Sequence, residues 1–309
     1  MKLGYFGTPI HSAYLLERLY KEGFEIQFVV TNPDKPSGRG GKLTPSPTRL
    51  KAEELGIPVY HESLKSDSAN EFLSRFEPDL CIVFAYGALI SEQIFSKPPL
   101  GTINLHGSLL PEYRGASPVQ AAILDGKTIS GITLQYITKE LDAGDIISKI
   151  EISIEPEDNF GTLLQKMTEK GTDELIRLIK TQPGFRFPAV PQDHSKATFC
   201  KKIHSDDRKL NFSNSAEELQ NRIRAFNPGN ICFTSFREKR LNVYKTRILD
   251  SETGGEAGTY FQVDKRTPGI VTSDKKILVL EEIQPENKKR ISGSDFINGF
   301  RPQNGEYFQ

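Results

Sequence analysis

The sequence predicts an α/β domain built on a mostly parallel sheet, followed by a smaller antiparallel β-barrel domain, and three observations carry this. Strand-like and helix-like stretches alternate through the first 180 or so residues in the rhythm of βαβ units. Residues 80–86 (Leu-Cys-Ile-Val-Phe-Ala-Tyr) are continuously apolar, as a strand buried on both faces should be. Beyond residue 202 the pattern changes to short β-type runs separated by turn residues, which suits a small barrel. A length of 309 residues, about twice the usual single-domain size, accommodates both parts.

In order along the chain, residues 1–7 form the first strand and residues 11–22 a helix with Leu15, Leu16 and Leu19 on one face. Residues 25–31 form a second strand, 32–47 a Pro- and Gly-rich loop, and 48–55 and 68–76 two helices. The buried strand at 80–86 follows, then strands at 102–105, 132–137 and 146–154, and a closing helix at 162–180. Pro183, Pro188 and Pro191 mark a linker. A helix at 216–224 opens the second part, with strands at 231–236, 241–246, 269–272 and 276–281. The division expected is 1–187, a linker at 188–204, and 205–309.

Composition narrows the function. With 37% hydrophobic and 26% charged residues the profile is globular, and no apolar run approaches the roughly 18 residues of a membrane span. Cys81, Cys200 and Cys232 are odd in number and lack CxxC spacing, which points to neither a disulfide framework nor zinc and fits a reducing cytosol. The net charge of zero conceals an asymmetry: residues 1–195 carry 20 basic and 25 acidic side chains, residues 196–309 carry 20 and 15. A half with charge +5 suits a polyanionic partner, although chance and solubility account for it equally well.

The obvious phosphate motifs fail. Gly4 and Gly7 lack the third glycine of a dinucleotide fingerprint, and Gly38-Arg39-Gly40-Gly41-Lys42 lacks Walker spacing. No HExxH or other metal-spaced cluster occurs, so no catalytic metal is expected. The informative stretch is Asn104-Leu105-His106-Gly107-Ser108-Leu109-Leu110-Pro111-Glu112-Tyr113-Arg114-Gly115, at the end of a strand. Alternation puts Asn104 and His106 on one side, at the strand end where open α/β sheets bind ligands. Downstream, Leu141-Asp142-Ala143-Gly144-Asp145 places two carboxylates in a tight loop, one of which could orient His106. Taken alone, a packed or surface histidine and a common loop fit these residues better than a catalytic pair does.

Asn-Leu-His-Gly-Ser-Leu-Leu-Pro followed some 30 residues on by Leu-Asp-Ala-Gly-Asp resembles the signature of the formyltransferases that use 10-formyltetrahydrofolate. Gly7-Thr8-Pro9, the run from Thr31 through Asn32-Pro33-Asp34-Lys35-Pro36-Ser37-Gly38-Arg39-Gly40-Gly41-Lys42 to Pro47, and Arg224-Ala225-Phe226-Asn227-Pro228 resemble the methionyl-tRNA formyltransferase family within that superfamily. The match spans nearly the whole chain. It implies a Rossmann-like catalytic domain, a linker and an OB-like C-terminal barrel that binds tRNA.

The resemblance also implies roles. Asn104, His106 and Asp142 match the family's catalytic trio, and Ser108, Leu109, Leu110 and Pro111 match its folate-contacting segment. Tyr86, Gly87, Leu89 and Ile90 match a further wall of the folate pocket. Asn104 and protonated His106 would stabilise an oxyanion as the methionyl amine attacks the formyl carbon, with Asp142 collecting the amine proton. Residues 32–49 are long for a βα connection and carry Lys35, Arg39, Lys42 and Arg49 against Asp34, a charge of +3 suited to a tRNA acceptor end. The family's tRNA-engaging arginine matches Arg39, and Lys288-Lys289-Arg290 could extend the track. Two departures stand out: His11 where the family commonly has an aromatic residue, and no Trp in Phe226-Asn227-Pro228-Gly229-Asn230.

The expected partners are initiator methionyl-tRNA and the folate co-substrate, with a monomeric cytoplasmic enzyme and no membrane. Two other readings share some features. A formyltransferase acting on a small amine, glycinamide ribonucleotide or an amino-sugar nucleotide, would keep the His106 site without needing the basic loop. A non-catalytic RNA-binding protein would not need Asn104, His106 and Asp142 intact.

Overall fold

The computed structural model describes residues 1–37, 42–251 and 253–309. Two compact units are present: Met1–Pro118 with Ser130–Ser153 and Leu164–Lys201, and Val119–Ile129 with Ile154–Leu163 and Lys202–Gln309. The chain runs β1 (Lys2–Gly7), α1 (Ile10–Lys21), β2 (Glu25–Val30), β3 (Lys35–Ser37), β4 (Lys42–Thr44), α2 (Pro47–Glu54), β5 (Val59–Tyr60), α3 (Asp67–Leu73), β6 (Leu80–Phe84) and α4 (Glu92–Phe95). It continues with β7 (Thr102–His106), β8 (Arg114–Gly115), α5 (Pro118–Leu124), β9 (Ile129–Tyr136), β10 (Ile146–Ser153), α6 (Phe160–Thr181) and β11 (Phe199–Cys200).

In the first unit a seven-stranded sheet has the order β10-β9-β7-β6-β1-β2-β5. Strands β5, β2, β1, β6 and β7 are parallel, and β9 runs antiparallel to β7. Every residue of β6 is buried, which explains why its sequence shows no alternation. Leu15, Leu16 and Leu19 of α1 are fully buried, each contributing roughly 1.5–3 kcal/mol of burial free energy. Gly4 is required where β1 meets its neighbours, because a Cβ there would lie 2.5 Å from Phe28 and 2.6 Å from Cys81.

This strand order places a topological switch between β1 and β6: the chain winds outward through β2 to β5, then returns to the other side of β1. Ligands of open α/β sheets bind in the crevice at that point, beyond the carboxyl ends of the strands. Side chains tie the loops together there. Thr8 Oγ1 donates to the Tyr86 carbonyl at 2.9 Å, and the Asn32 amide donates to the same carbonyl and to Thr8 Oγ1. The hydroxyl of Ser12 reaches the Phe84 carbonyl at the end of β6.

The second unit carries α7 (Ala216–Phe226), begun by a reciprocal cap between Ser215 and Glu218. It also holds β12 (Cys232–Phe236), β13 (Lys239–Leu249), β14 (Tyr260–Asp264), β15 (Thr267–Val271), β16 (Ile277–Pro285), β17 (Ile291–Ser292) and α8 (Gly293–Phe300). These strands form an antiparallel sheet of order β12-β13-β16-β15-β14, with β17 on β16. The last residues bridge its two edges. Gln309 exchanges hydrogen bonds with Ser235 on β12, and Tyr260 N on β14 donates to the Glu306 carbonyl. The C-terminal residues thereby link the two edge strands, in the manner of a small barrel. Phe236, Phe296 and Phe308 pack inside it, with the Phe236 and Phe308 rings 4.9 Å apart.

Candidate active site

His106 is the last residue of β7, next to β6 in the sheet, and is 5% exposed. In the antiparallel pairing with β9, His106 lies opposite Thr133 and Asn104 opposite Gln135. The pleat therefore puts Asn104, His106, Thr133 and Gln135 on one face. The ring of His106 sits between two acceptors: Nδ1 is 3.5 Å from Asp142 Oδ1 and Nε2 is 2.9 Å from the Tyr113 carbonyl. It can donate to both only when both nitrogens carry hydrogen, the form in which it is also a cation.

Asp142 reaches His106 because its loop folds back over β9. Its φ of +52° lies in the left-handed region that Asp tolerates better than most residues. Two residues on, a Cβ at Gly144 would fall 1.8 Å from the Tyr136 carbonyl, so this turn demands glycine. The carboxylate is held at both oxygens, Oδ2 accepting from Gly115 N at 2.9 Å and Oδ1 from Gln135 Nε2 at 3.2 Å. Asn104 is half-buried, and its side-chain amide has no hydrogen-bond partner among the described residues. The strand end thus offers one amide free to donate, one imidazole and one carboxylate. Among the described residues, no group of three or more His, Cys, Asp or Glu could hold a metal ion.

Residues 1–179 match the family model described as formyl transferase, and residues 202–301 match formyl transferase, C-terminal domain. A methionyl-tRNA formyltransferase of Leptospira interrogans is 48% identical over 314 residues, covering 100% of both chains. That of Bacillus subtilis is 36% identical over 306 residues, covering 99% of this chain and 96% of its own. The chain belongs to the methionyl-tRNA formyltransferase family. Among solved structures, an N-formyltransferase from Helicobacter canadensis, in complex with folinic acid and dTDP-3-aminofucose, aligns with a TM-score of 0.69 at 19% identity, covering 92% of this chain and 99% of that one. A sugar 3N-formyl transferase crystallised with dTDP and 5-N-formyl-THF aligns with a TM-score of 0.66 at 19% identity, over 94% and 99% of the two chains. At such identity the likeness is one of fold.

The segment that the methionyl-tRNA formyltransferase resemblance assigns to folate is anchored to β9. Thr133 Oγ1 donates to the Ser108 carbonyl at 2.6 Å and accepts from Leu110 N at 3.1 Å. Ser108 Oγ turns back to the Glu112 carbonyl, and the Leu110 side chain is fully buried, while Leu109 and Pro111 are half-buried. The second expected wall divides. Tyr86 packs in the core beside Phe6, burial pushes its phenol up to about 12, and its carbonyl already accepts from Thr8 and Asn32. Ile90 leans on the same core cluster, Gly87 takes a φ of +79°, and Leu89 is 83% exposed.

The described residues of the 32–49 stretch hold more order than a loop. Strands β3 and β4 pair as an antiparallel hairpin, Lys35 opposite Thr44 and Ser37 opposite Lys42, and Lys35 is exposed. Arg39 lies outside the described residues. Arg49 differs from the other expected tRNA cations, because its guanidinium is 2.7 Å from both Asp34 and Glu53. The Glu53 carboxylate, with Asp34, holds it above the ordinary arginine range. The structure also brings in residues that sequence reasoning missed. Thr133 and Gln135 interrupt the buried strand Ile132-Thr133-Leu134-Gln135-Tyr136 with two polar side chains at alternate positions, and that alternation was the available signal.

Proposed function

We propose that this chain transfers the formyl group of 10-formyltetrahydrofolate to the α-amino group of initiator methionyl-tRNA, giving N-formylmethionyl-tRNA for translation initiation. The observation that carries this reading is the Asn104, His106 and Asp142 constellation at a strand end, in a chain that aligns end to end with methionyl-tRNA formyltransferases.

The residues present suit a formyl donor. The partnerless Asn104 amide can donate to the formyl oxygen as negative charge develops there, and the His106 ring can join it from Nε2 by giving up its contact with the Tyr113 carbonyl. Asp142 accepts from Gly115 and Gln135 and faces His106, so it can stabilise the imidazolium and take the amine proton directly or through water. No covalent bond to the protein is needed, since holding amine and formyl donor together supplies the gain through orientation. The backbone around Ser108, Leu109, Leu110 and Pro111, fixed by Thr133, would form one wall of the folate site, with Gly87 and Leu89 as a second.

Lys35, Arg39 and Lys42, with the +5 half of the chain, would hold the tRNA backbone. We assign catalysis to residues 1–187 and tRNA binding to residues 205–309, in a cytoplasmic monomer. No helix among the described residues is long and apolar enough to cross a membrane. The test is formyl transfer from 10-formyltetrahydrofolate to charged initiator tRNA, set beside glycinamide ribonucleotide and an amino-sugar nucleotide. Transfer to the tRNA alone supports the reading; transfer to a small amine in its place overturns it.

A further inference from the structure

The carboxylate of Asp142 lies at the end of a chain of buried side chains whose hydrogen bonds run in one direction. Arg114, 4% exposed, donates from Nε at 3.2 Å and from Nη2 at 2.7 Å to Oε1 of Gln192, itself 5% exposed. Because arginine only donates, the oxygen of the Gln192 amide must face it. Its nitrogen then faces three acceptors: the Gly144 carbonyl at 2.7 Å, the Asp142 carbonyl at 2.9 Å and Gln135 Oε1 at 3.2 Å. Accepting there, Gln135 must turn its own nitrogen to Asp142 Oδ1. An obligate donor at one end and an obligate acceptor at the other thus orient both amides.

The three acceptors include two carbonyls of the loop that carries Asp142 in its left-handed conformation. We propose that Gln192 is a positioning residue for the formyl transfer proposed above, clamping the Asp142 loop so that the carboxylate faces His106, with Arg114 locking the amide. The segment around Gln192 has other anchors. Val190 and Ile146 exchange backbone hydrogen bonds at 2.8 and 2.9 Å, Tyr113 N donates to Thr198 Oγ1 at 2.8 Å, and β11 pairs with β8. Loss of the Gln192 nitrogen therefore leaves residues 190–200 tied down and removes the side-chain donor from the Asp142 loop. Arg114 adds a second link, since its neighbour Gly115 supplies the hydrogen bond to Asp142 Oδ2.

Gln192→Glu tests this, because it keeps the size and the acceptor for Arg114 but cannot donate to the loop and sets a negative charge beside Asp142. In the full chain kcat falls by a factor on the order of 10 to 10². KM for tRNA and Kd for folate stay near wild type, while the melting temperature falls, because a carboxylate oxygen replaces the N–H group that faced the Gly144 and Asp142 carbonyls. The ¹⁵N signals of the His106 ring, assigned by their loss in His106→Ala, move in the variant. Should Gln192→Glu fail to fold, Gln192→Met carries the test, since it removes the donor to the two loop carbonyls without setting a charge against them and leaves Arg114 its contact with His194 Nδ1. Folded variants with wild-type kcat and unmoved His106 signals overturn the proposal. The spectroscopic readout needs no substrate, so moved signals in a chain inactive on methionyl-tRNA would sink the substrate assignment and leave the positioning role standing.

Discussion

Gly115 donates its backbone N–H to Asp142 Oδ2 at 2.9 Å, which leaves Oδ1 to face His106 Nδ1 at 3.5 Å. One carboxylate thereby joins the turn after the Ser-Leu-Leu-Pro segment to the end of β7. Its two oxygens have different neighbours: Oδ2 accepts from the turn, and Oδ1 accepts from Gln135 and faces the ring.

Replacing Asp142 separates charge from backbone. Asp142→Asn keeps a residue that tolerates the left-handed φ of +52° and keeps an oxygen for Gly115, so the melting temperature should hold while kcat falls on the order of 10². Asp142→Ala should show the same loss of kcat with about 1 kcal/mol less stability, because alanine is strained at that φ. Steady-state kinetics and thermal melts of both variants check this. An Asp142→Asn enzyme with near wild-type kcat would remove the carboxylate from the chemistry.

The basic residues near the hairpin should separate into two classes. Arg39→Ala and Lys42→Ala should raise KM for tRNA and leave the folate Kd unchanged. Each should also lower the log–log salt slope of tRNA binding by somewhat under one unit, as one phosphate fewer is neutralised. Arg49, already engaged by Asp34 and Glu53, should behave otherwise: Arg49→Ala costs at most about 1 kcal/mol of stability and changes tRNA use little. Equal rises in KM from Arg39→Ala and Arg49→Ala would show that Arg49 leaves its carboxylates to meet RNA.

Burial lowers His11 to about 4, in a position where its ring packs edge-on to Phe84 at 5.0 Å. The unfolded chain takes up this proton near pH 6.5 and the folded chain only near pH 4, so the associated stability is present above pH 6.5 and is lost as the pH falls between the two. The loss should be on the order of 2–3 kcal/mol by pH 4. His11→Phe keeps the ring contact without the proton, and should flatten the decline of melting temperature across that window. Parallel curves for wild type and variant would contradict it.

The elements read most readily from sequence were those whose periodicity reports burial. Leu15, Leu16 and Leu19 on α1 and the continuous apolar run of β6 stand where expected, and the strand end at His106 follows from them. Short pieces escaped that reading. Strands β3 and β4 have three residues each, β3 with Pro36 at its centre, and β14 (Tyr-Phe-Gln-Val-Asp) is half-exposed and lies beside a turn. At the site, the resemblance to formyltransferases singled out Asn104, His106 and Asp142, and the fold brings the His106 ring within 3.5 Å of the Asp142 carboxylate. Gln192 was not, because it follows Pro191 in a stretch without periodicity, and its role depends on a fold that returns residues 190–200 to β8 and β10. His11, an apparent departure from the family, keeps an aromatic ring against Phe84 where an aromatic residue is common.

In the proposed transfer His106, between Asp142 and the Tyr113 carbonyl, stabilises charge on the formyl group. The most direct measurement is single-turnover formyl transfer from 10-formyltetrahydrofolate to initiator methionyl-tRNA by wild type and His106→Ala, both substrates saturating, with the folate Kd measured alongside. The rate should be lower by a factor on the order of 10² to 10³ with the Kd nearly unchanged, as the loss of one oxyanion-stabilising donor requires. A His106→Ala rate near that of wild type would contradict it and leave His106 a packing residue.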